Sequence, residues 1–491
     1  MHFDSSRNDR RWLPACICRN RSSDRLCVAA CMLVIAFAIT TSNVSAEVPG
    51  AINIGSRLEL FVDDFLVESR TDLTLELHRP IRAELVLALE EPWEGTNLGH
   101  VSILKDGDRY RMYYRGYHNP GFSWSENIYT CCAESLDGIH WKKPNLGLVE
   151  WEGSTANNIV MRGQHGAYLT PFIDNRPGVP ASQRYKSFAG NPPRAMVSSD
   201  GLHWSALKEE PVLPKPRFGI ALWNPQRAEF MAYVRAWRPQ GDGTRLRNIA
   251  LSTSPDFLKW SEPKLLDFGA APDPHLYWNT ALPYFRAPHL YLGFPMRLRE
   301  YTDTTSGERR DWTDAILMVT RDGFRFHQHV EAFVRPGLDR NNWQPHVNML
   351  AYGIVPTSDQ ELSMYLTNAA GGQRHLRRLK LRTDGFVSLR ASHKGGELIT
   401  KPITFSGAKL ILNYSTSAIG SVRVELQSTA GEPIPGFTLD QCQELVGDTI
   451  SHAVQWRRGK QLDQLSGELI RLRFVLQDAD LYSFQFVSRG P

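Results

Sequence analysis

The sequence predicts an all-β fold, a five-bladed β-propeller followed by a small β-sandwich. Three observations predict it. A short pattern, small residue, any residue, Asp-Gly, two further residues and an aromatic, recurs five times down the chain. Strand-like runs stand before its copies, and long amphipathic helical patterns are absent.

The repeat comes first, because it sets the architecture. It reads Ser135-Leu136-Asp137-Gly138-Ile139-His140-Trp141, then Ser198-Ser199-Asp200-Gly201-Leu202-His203-Trp204. Ser254-Pro255-Asp256-Phe257-Leu258-Lys259-Trp260 is a variant, and Thr320-Arg321-Asp322-Gly323-Phe324-Arg325-Phe326 is the fourth copy. Thr383-Asp384-Gly385-Phe386 is the fifth and most worn. The aspartates stand 63, 56, 66 and 62 residues apart. That is too wide for stacked helix pairs and suits propeller blades with generous loops.

The runs between copies fit four-stranded blades. In the first unit they are His100 to Leu104, Tyr110 to Arg115 and Ile128 to Ala133, with Asp106-Gly107 as a hairpin signal. The third unit repeats the plan with Ile220 to Trp223, Phe230 to Arg235 and Ile249 to Thr253. Asp-Gly then marks the turn from third to fourth strand, where glycine accepts positive φ and aspartate caps the turn. The aromatic packs between neighbouring blades. Five copies argue for structure, since a catalytic acid is needed once. Ring closure is expected from the strand-like segment near Arg57 to Val67. After about residue 394 the texture changes to alternating strands such as Leu410 to Tyr414, Ser421 to Leu426 and Glu468 to Leu476. The expected organisation is a leader at 1–46, a propeller at 47–394 and a sandwich at 395–491.

The leader is a targeting segment. Arg10, Arg11, Arg19, Arg21 and Arg25 form a basic region, Val28 to Ile39 is apolar, and Val44-Ser45-Ala46 is a small-residue cleavage site. Val28-Ala29-Ala30-Cys31 has the look of a lipid-attachment motif, but most of the apolar stretch follows it. Export with cleavage after Ala46 is the expectation, and no segment has the ~20 apolar residues of a spanning helix. Of seven cysteines, four fall in the leader; Cys131, Cys132 and Cys442 remain, which is not a disulfide framework. No Cys/His spacing suggests a metal site, and no cofactor is expected. The net charge of +4, without a basic block, argues against nucleic acid as a partner.

The chain resembles secreted bacterial proteins related to the five-bladed glycoside hydrolases, the clan of invertases, levansucrases, arabinanases and mannoside phosphorylases, with a family-32 N-terminal-domain-like propeller. The residues that carry the resemblance are Leu60-Phe61-Val62-Asp63-Asp64, Tyr129 to Leu146, Phe172-Ile173-Asp174-Asn175 and Arg184-Tyr185-Lys186. Ala287-Pro288-His289, Gly293-Phe294-Pro295, Asp384 to Ser388 and Val422 to Glu425 complete them. What the resemblance implies is chemistry on carbohydrate at the top of the propeller. The chain departs from the group at the start of the third inner strand, where an Asp-Ser-x-Asn motif is replaced by Pro216-Arg217-Phe218-Gly219.

Candidate site residues follow from blade geometry. The loops after second strands, residues 116–127, 236–248 and 298–313, are long and share one face with the starts of the inner strands. Arg115, Arg235 and Arg297 end second strands there; Tyr117, His118, Trp124, Trp237, Trp312 and Trp343 lie in adjoining loops. Aromatic rings stack on sugars, and guanidinium groups clamp carboxylate, sulfate or phosphate. Arg115, Arg235, Arg297, His100, His275, Trp312 and Trp343 are therefore the candidate substrate-binding residues, and His346 is a further histidine at an inner-strand start.

Hydrolysis in this clan needs two carboxylates facing across the scissile bond. No inner-strand start contains one. The acids on the upper face are Glu94, Asp273, Asp303, Glu308, Asp311 and Asp339, and Glu94 and Asp273, which lead into inner strands, are the candidate catalytic pair. Asp174 is read as a turn cap. Three readings stay open: a secreted glycoside hydrolase acting on an extracellular polysaccharide or oligosaccharide, an anionic one among the candidates; a non-catalytic glycan-binding propeller; and a glycoside phosphorylase.

Overall fold

A computed structural model describes residues 50–489, apart from 118–127, 164, 165, 167, 214–217, 303, 306, 308, 345, 371, 372 and 458–460. The leader, His118, Trp124, Asp303 and Glu308 lie outside the described residues, as does the side chain of Tyr117.

The Asp-Gly repeats do bracket blades. Blade one is Gly99–Asp106, Arg109–Tyr117, Ile128–Ser135 and Ile159–Arg162, all antiparallel. Blade two is Phe172–Ile173, Tyr185–Ala189, Arg194–Ser198 and Ser205–Ala206; blade three is Gly219–Asn224, Glu229–Pro239, Arg245–Ser254 and Lys264–Leu265. In blade four Phe294-Pro295 interrupts the second strand, so Ala287–Gly293 and Met296–Thr302 both pair with Arg309–Thr320, and His327–Val334 lies outside. Its inner strand is likewise split into Leu276–Tyr277 and Leu282–Tyr284. No described helix is long and apolar enough to cross a membrane.

Blade five corrects one expectation. Its strands Val355–Pro356, Glu361–Ala370 and Gln373–Arg382 are completed by Ile81–Ala88 from the N-terminal side, not by residues 57–67. Glu59–Leu60 instead pairs with Phe484 and Ser483, and Phe61 is buried among Phe474 and Phe484. The run Leu60 to Val62 is apolar without alternation, which reads equally as a strand of either sheet; its aromatic packing decides. The worn fifth repeat has the same cause. Because the N-terminal strand closes blade five, the chain leaves Asp384 for Val387–Ala391, which pairs with both Leu73–Leu77 and Arg471–Val487. That second sheet therefore draws on both ends of the described chain. Its longest members, Lys409–Gln427 and Arg471–Val487, pair along their length with a break between Thr416 and Ser421, around one apolar core.

The repeat works as expected in the turns. Asp137 Oδ1 accepts from the backbone N–H groups of Ile139 and His140, and Asp200 does the same for Leu202 and His203. The glycines at 138, 201 and 323 have φ of +73°, +78° and +75°, which a side chain rarely adopts. Trp141 meets Tyr365 of blade five edge-on at 5.7 Å, and Trp260 meets Phe188 of blade two at 5.1 Å.

Candidate functional site

The inner strands start around the propeller axis, and four of the five do so in strained backbone. His100, Tyr168, Trp278 and His346 have φ of +51°, +66°, +54° and +57°. Each such residue costs on the order of 1–2 kcal/mol, a conformation retained where a site needs its side chains aimed. Here they aim at one another. His100 lies edge-on to Tyr168 at 4.4 Å and to Trp278 at 4.3 Å. Tyr168 stacks on Phe218 at 4.6 Å with 7° between planes, and Tyr277 meets Phe218 at 5.4 Å and His346 at 5.1 Å. The result is an aromatic floor across the mouth of the channel.

Arginines ring that floor. Arg115 lies over Tyr168 at 5.9 Å, Arg235 over Phe218 at 4.8 Å and Arg247 over Tyr277 at 5.5 Å. Arg374 donates to Asn97 Oδ1 at 2.7 Å and to the His346 carbonyl at 3.4 Å. Burial raises the Tyr277 phenol, and the charges that act on it most strongly are all guanidiniums: Arg115, Arg247, Arg235 and Arg374. The crowding shows in the arginines themselves. Burial, and then the neighbouring Arg115, push Arg374 down to about 10. Burial followed by Arg374, Arg247 and Arg115 pushes His346 down to about 4, with Asp311 pulling the other way. His100, 2 % exposed, is held well below the usual imidazole range by burial and Arg115, which leaves it neutral and part of the floor.

Two of the three sequence-chosen arginines, Arg115 and Arg235, meet at the floor; Arg297 does not. In blade one Arg115 faces Gly99, the residue before His100. The residue before Trp278 is Tyr277, and its partner is Met296. Arg297 is one position on, and in a strand that reverses the face. Met296 and Leu298 pack into the mouth cluster, while Arg297 makes a two-pronged pair with Asp314, at 3.0 and 2.6 Å, on the opposite side. Trp312 and Trp343 are on that far side too, meeting at 5.7 Å. His275 is half-buried, and its carbonyl accepts from Leu298 N–H.

The candidate acids are also apart. Glu94 ends the short turn Pro92–Glu94 and is fully buried. One carboxylate oxygen accepts from Tyr114 Oη at 2.5 Å; the other accepts from the N–H groups of Glu90 and Glu91 and from Lys143 Nζ at 2.7 Å. That is the setting of a structural anchor. Asp273 is exposed and sits 3.1 Å from Arg238 Nε of blade three. Asp174, as read, anchors a turn, buried and paired with Arg176 and Lys186 at 2.8 Å. No group of three His, Cys, Asp or Glu able to hold a metal occurs among the described residues.

The chain matches no protein-family model and no curated protein. Among solved structures it is similar to an N-acetylgalactosamine deacetylase from F. plautii in complex with blood group B trisaccharide. Identity there is 13% over 64% of this chain and 97% of that one, with a TM-score of 0.42. A fructofuranosidase from Schwanniomyces occidentalis complexed with fructosylnystose aligns over 84% of this chain and 98% of its own, at 10% identity and a TM-score of 0.40. A structure described under the mannoside phosphorylase family, which contains glycoside hydrolases that target β-1,2 mannosidic linkages in Candida mannan, aligns over 62% and 94% at 12% identity and 0.38. Likeness of that size carries no argument about chemistry, and the five blades rest on the strand pairing itself.

Arg247, Arg374, Tyr168, Phe218 and Tyr277 complete the site and were not singled out from the sequence. A signal existed for two of them. A third strand begins at the level where the second ends, so arginines near third-strand starts, such as Arg247 and Arg374, share the upper face with Arg115.

Proposed function

We propose that the protein is exported and that its propeller mouth binds an anionic group of an extracellular polysaccharide or oligosaccharide. One observation carries the reading: Arg115, Arg235 and Arg247 lie over the rings of Tyr168, Phe218 and Tyr277, and Arg374 joins them beside His346, so four guanidiniums gather over one floor of rings. Like charges crowded beside a buried surface repel, and a carboxylate, sulfate or phosphate among them relieves the repulsion while taking charge-assisted hydrogen bonds. The aromatic floor suits the apolar face of the sugar that carries the anion. Glu94, with both oxygens engaged, favours binding over two-carboxylate hydrolysis. The basic stretch before Val28 and the small residues at 44 and 46 support export, with secreted material beginning at Glu47.

The test is titration calorimetry with matched sulfated, uronic and neutral oligosaccharides, each incubation also assayed for products. Anionic ligands should bind, and binding should weaken with salt, less steeply than at a fully exposed surface, since these half-buried charges are partly screened over ~10 Å at 0.1 M. Binding confined to neutral ligands and indifferent to salt overturns the reading. Release of shortened products would replace binding with hydrolysis.

A further inference from the structure

The residues that miss the mouth form a site of their own. Residues Arg297 and Arg299 pair across strands with Asp314 and Trp312, so all four side chains share the face of blade four turned away from the mouth. Between them, Leu298 and Thr313 face inward; Thr313 Oγ1 reaches the Val347 and Gln344 carbonyls at the start of blade five. A cavity of about 910 Å3 opens on this outer face, walled by Arg297, Trp312, Asp314, Val330, Arg335 and Trp343.

Its geometry is fixed before any ligand arrives. Trp343, 43% exposed, donates its indole N–H to the Gly337 carbonyl at 2.9 Å. Its loop is held by Asp339, which accepts from Asn341 N–H. Arg299 sits 6.0 Å over Trp312, and the two indoles stand at 83° to each other, making an apolar corner. On the adjoining wall Asp314 is locked to Arg297, and each of its oxygens keeps acceptor capacity beyond the one bond it takes. Val330 adds an exposed apolar side chain to the cavity wall. Pre-fixed aromatic surface beside pre-fixed polar groups binds at low entropic cost.

We propose that this outer corner is a second carbohydrate site, which holds neutral sugar rings of a polysaccharide against Trp312 and Trp343 while Asp314 accepts from their hydroxyls. A pyranose has what the corner requires: a C–H face to stack on an indole, and a rim of vicinal hydroxyls for a carboxylate. The inference rests on the carbohydrate reading of the mouth, but its ligand is uncharged and its residues are separate.

Affinity electrophoresis through gels containing xylan, mixed-linkage β-glucan, galactomannan or a proline-rich peptide polymer tests it, with melting temperature measured for every variant. Wild-type protein should be retarded by at least one of the neutral polysaccharides. Trp343→Ala should lose that retardation at least tenfold at unchanged melting temperature, and Trp343→Phe should keep most of it. Arg374→Met should leave it intact, which separates this site from the mouth. Failure at the mouth alone would appear as loss of anion binding with retardation preserved. The proposal is overturned if no neutral polysaccharide retards the protein, if only the peptide polymer does, if Trp343→Ala migrates like wild type, or if Arg374→Met abolishes retardation equally.

Discussion

The hydroxyl of Tyr113, in the second strand of blade one, donates to the carbonyl of Gly201, in the Asp-Gly turn of blade two, at 2.8 Å. The same bond joins Tyr233 of blade three to Gly323 of blade four at 2.9 Å, and Tyr365 of blade five to Gly138 of blade one. Where blade three has Phe257 in place of glycine, its neighbour has Phe188 in place of tyrosine, and the rings stack at 5.6 Å. At four of the five junctions, then, one blade grips the turn of the next. Tyr113→Phe should cost about 0.5–1.5 kcal/mol, the net worth of one hydrogen bond. The Gly201 carbonyl keeps a second donor in Trp204 Nε1, so the larger penalty of an orphaned acceptor is avoided. Equilibrium denaturation in urea measures it.

Ring closure by Ile81–Ala88 gives a second expectation. Leu87 is 4% exposed and pairs with Leu376 of blade five. Leu87→Ala should destabilise by about 2–5 kcal/mol through the cavity it leaves. Removing the segment up to residue 68 should instead strike the second sheet, where Phe61 is buried. Proteolysis that releases residues 395–491 first in the truncated chain would distinguish the two.

The sequence exposed the repeat, hence the blades, because the Asp-Gly turn is local chemistry whose residues bond within four positions of one another. It did not reveal which strand closes the ring, since Glu59–Leu60 and Ile81–Ala88 both belong to short strand-like runs whose partners lie about 300 residues or more away. The site was legible in kind and less so in membership. Arginines and aromatics at strand ends were the right signal, but a one-residue offset turned Arg297 outward, and Arg374 counts only because blade five folds beside blade one.

Glu94 offers a test between chemistry and architecture. Glu94→Gln removes the charge that pairs with Lys143, which is 19% exposed. A destabilisation of about 2–4 kcal/mol is expected, toward the lower part of the range for a broken buried pair, because Lys143 keeps some water. Ligand binding at the mouth should be unchanged once the protein is folded. Calorimetry below the melting temperature separates the two effects.

Stability should fall on mild acidification. Burial lowers His346 and His329 to about 4, and lowers His100 well below its usual 6.5. The folded chain therefore holds fewer protons than the unfolded one between pH 6.5 and about 4. Stability is flat above that window and declines as pH drops through it, before most carboxylates titrate. Melting temperature measured from pH 8 to 4.5 should show the fall, and His346→Gln should shallow it.

The mouth itself makes the sharpest demand. Arg374 is pushed down to about 10 by burial and by Arg115, so an anion placed between these two guanidiniums interacts with both and relieves a repulsion already present. Arg374→Met should then weaken binding of a sulfated oligosaccharide by about 1.5–3 kcal/mol, the range for hydrogen bonds to charged groups. Part of that loss is offset, because removing one cation eases the crowding of Arg115. The salt dependence should become shallower in the variant, since one fewer charge is screened. Arg297→Met, whose parent guanidinium is engaged by Asp314 on the far face, should bind the same ligand as wild type does. Equal losses in the two variants, measured by calorimetry at two ionic strengths, would mean that the anion is held on the outer face and not over Tyr277.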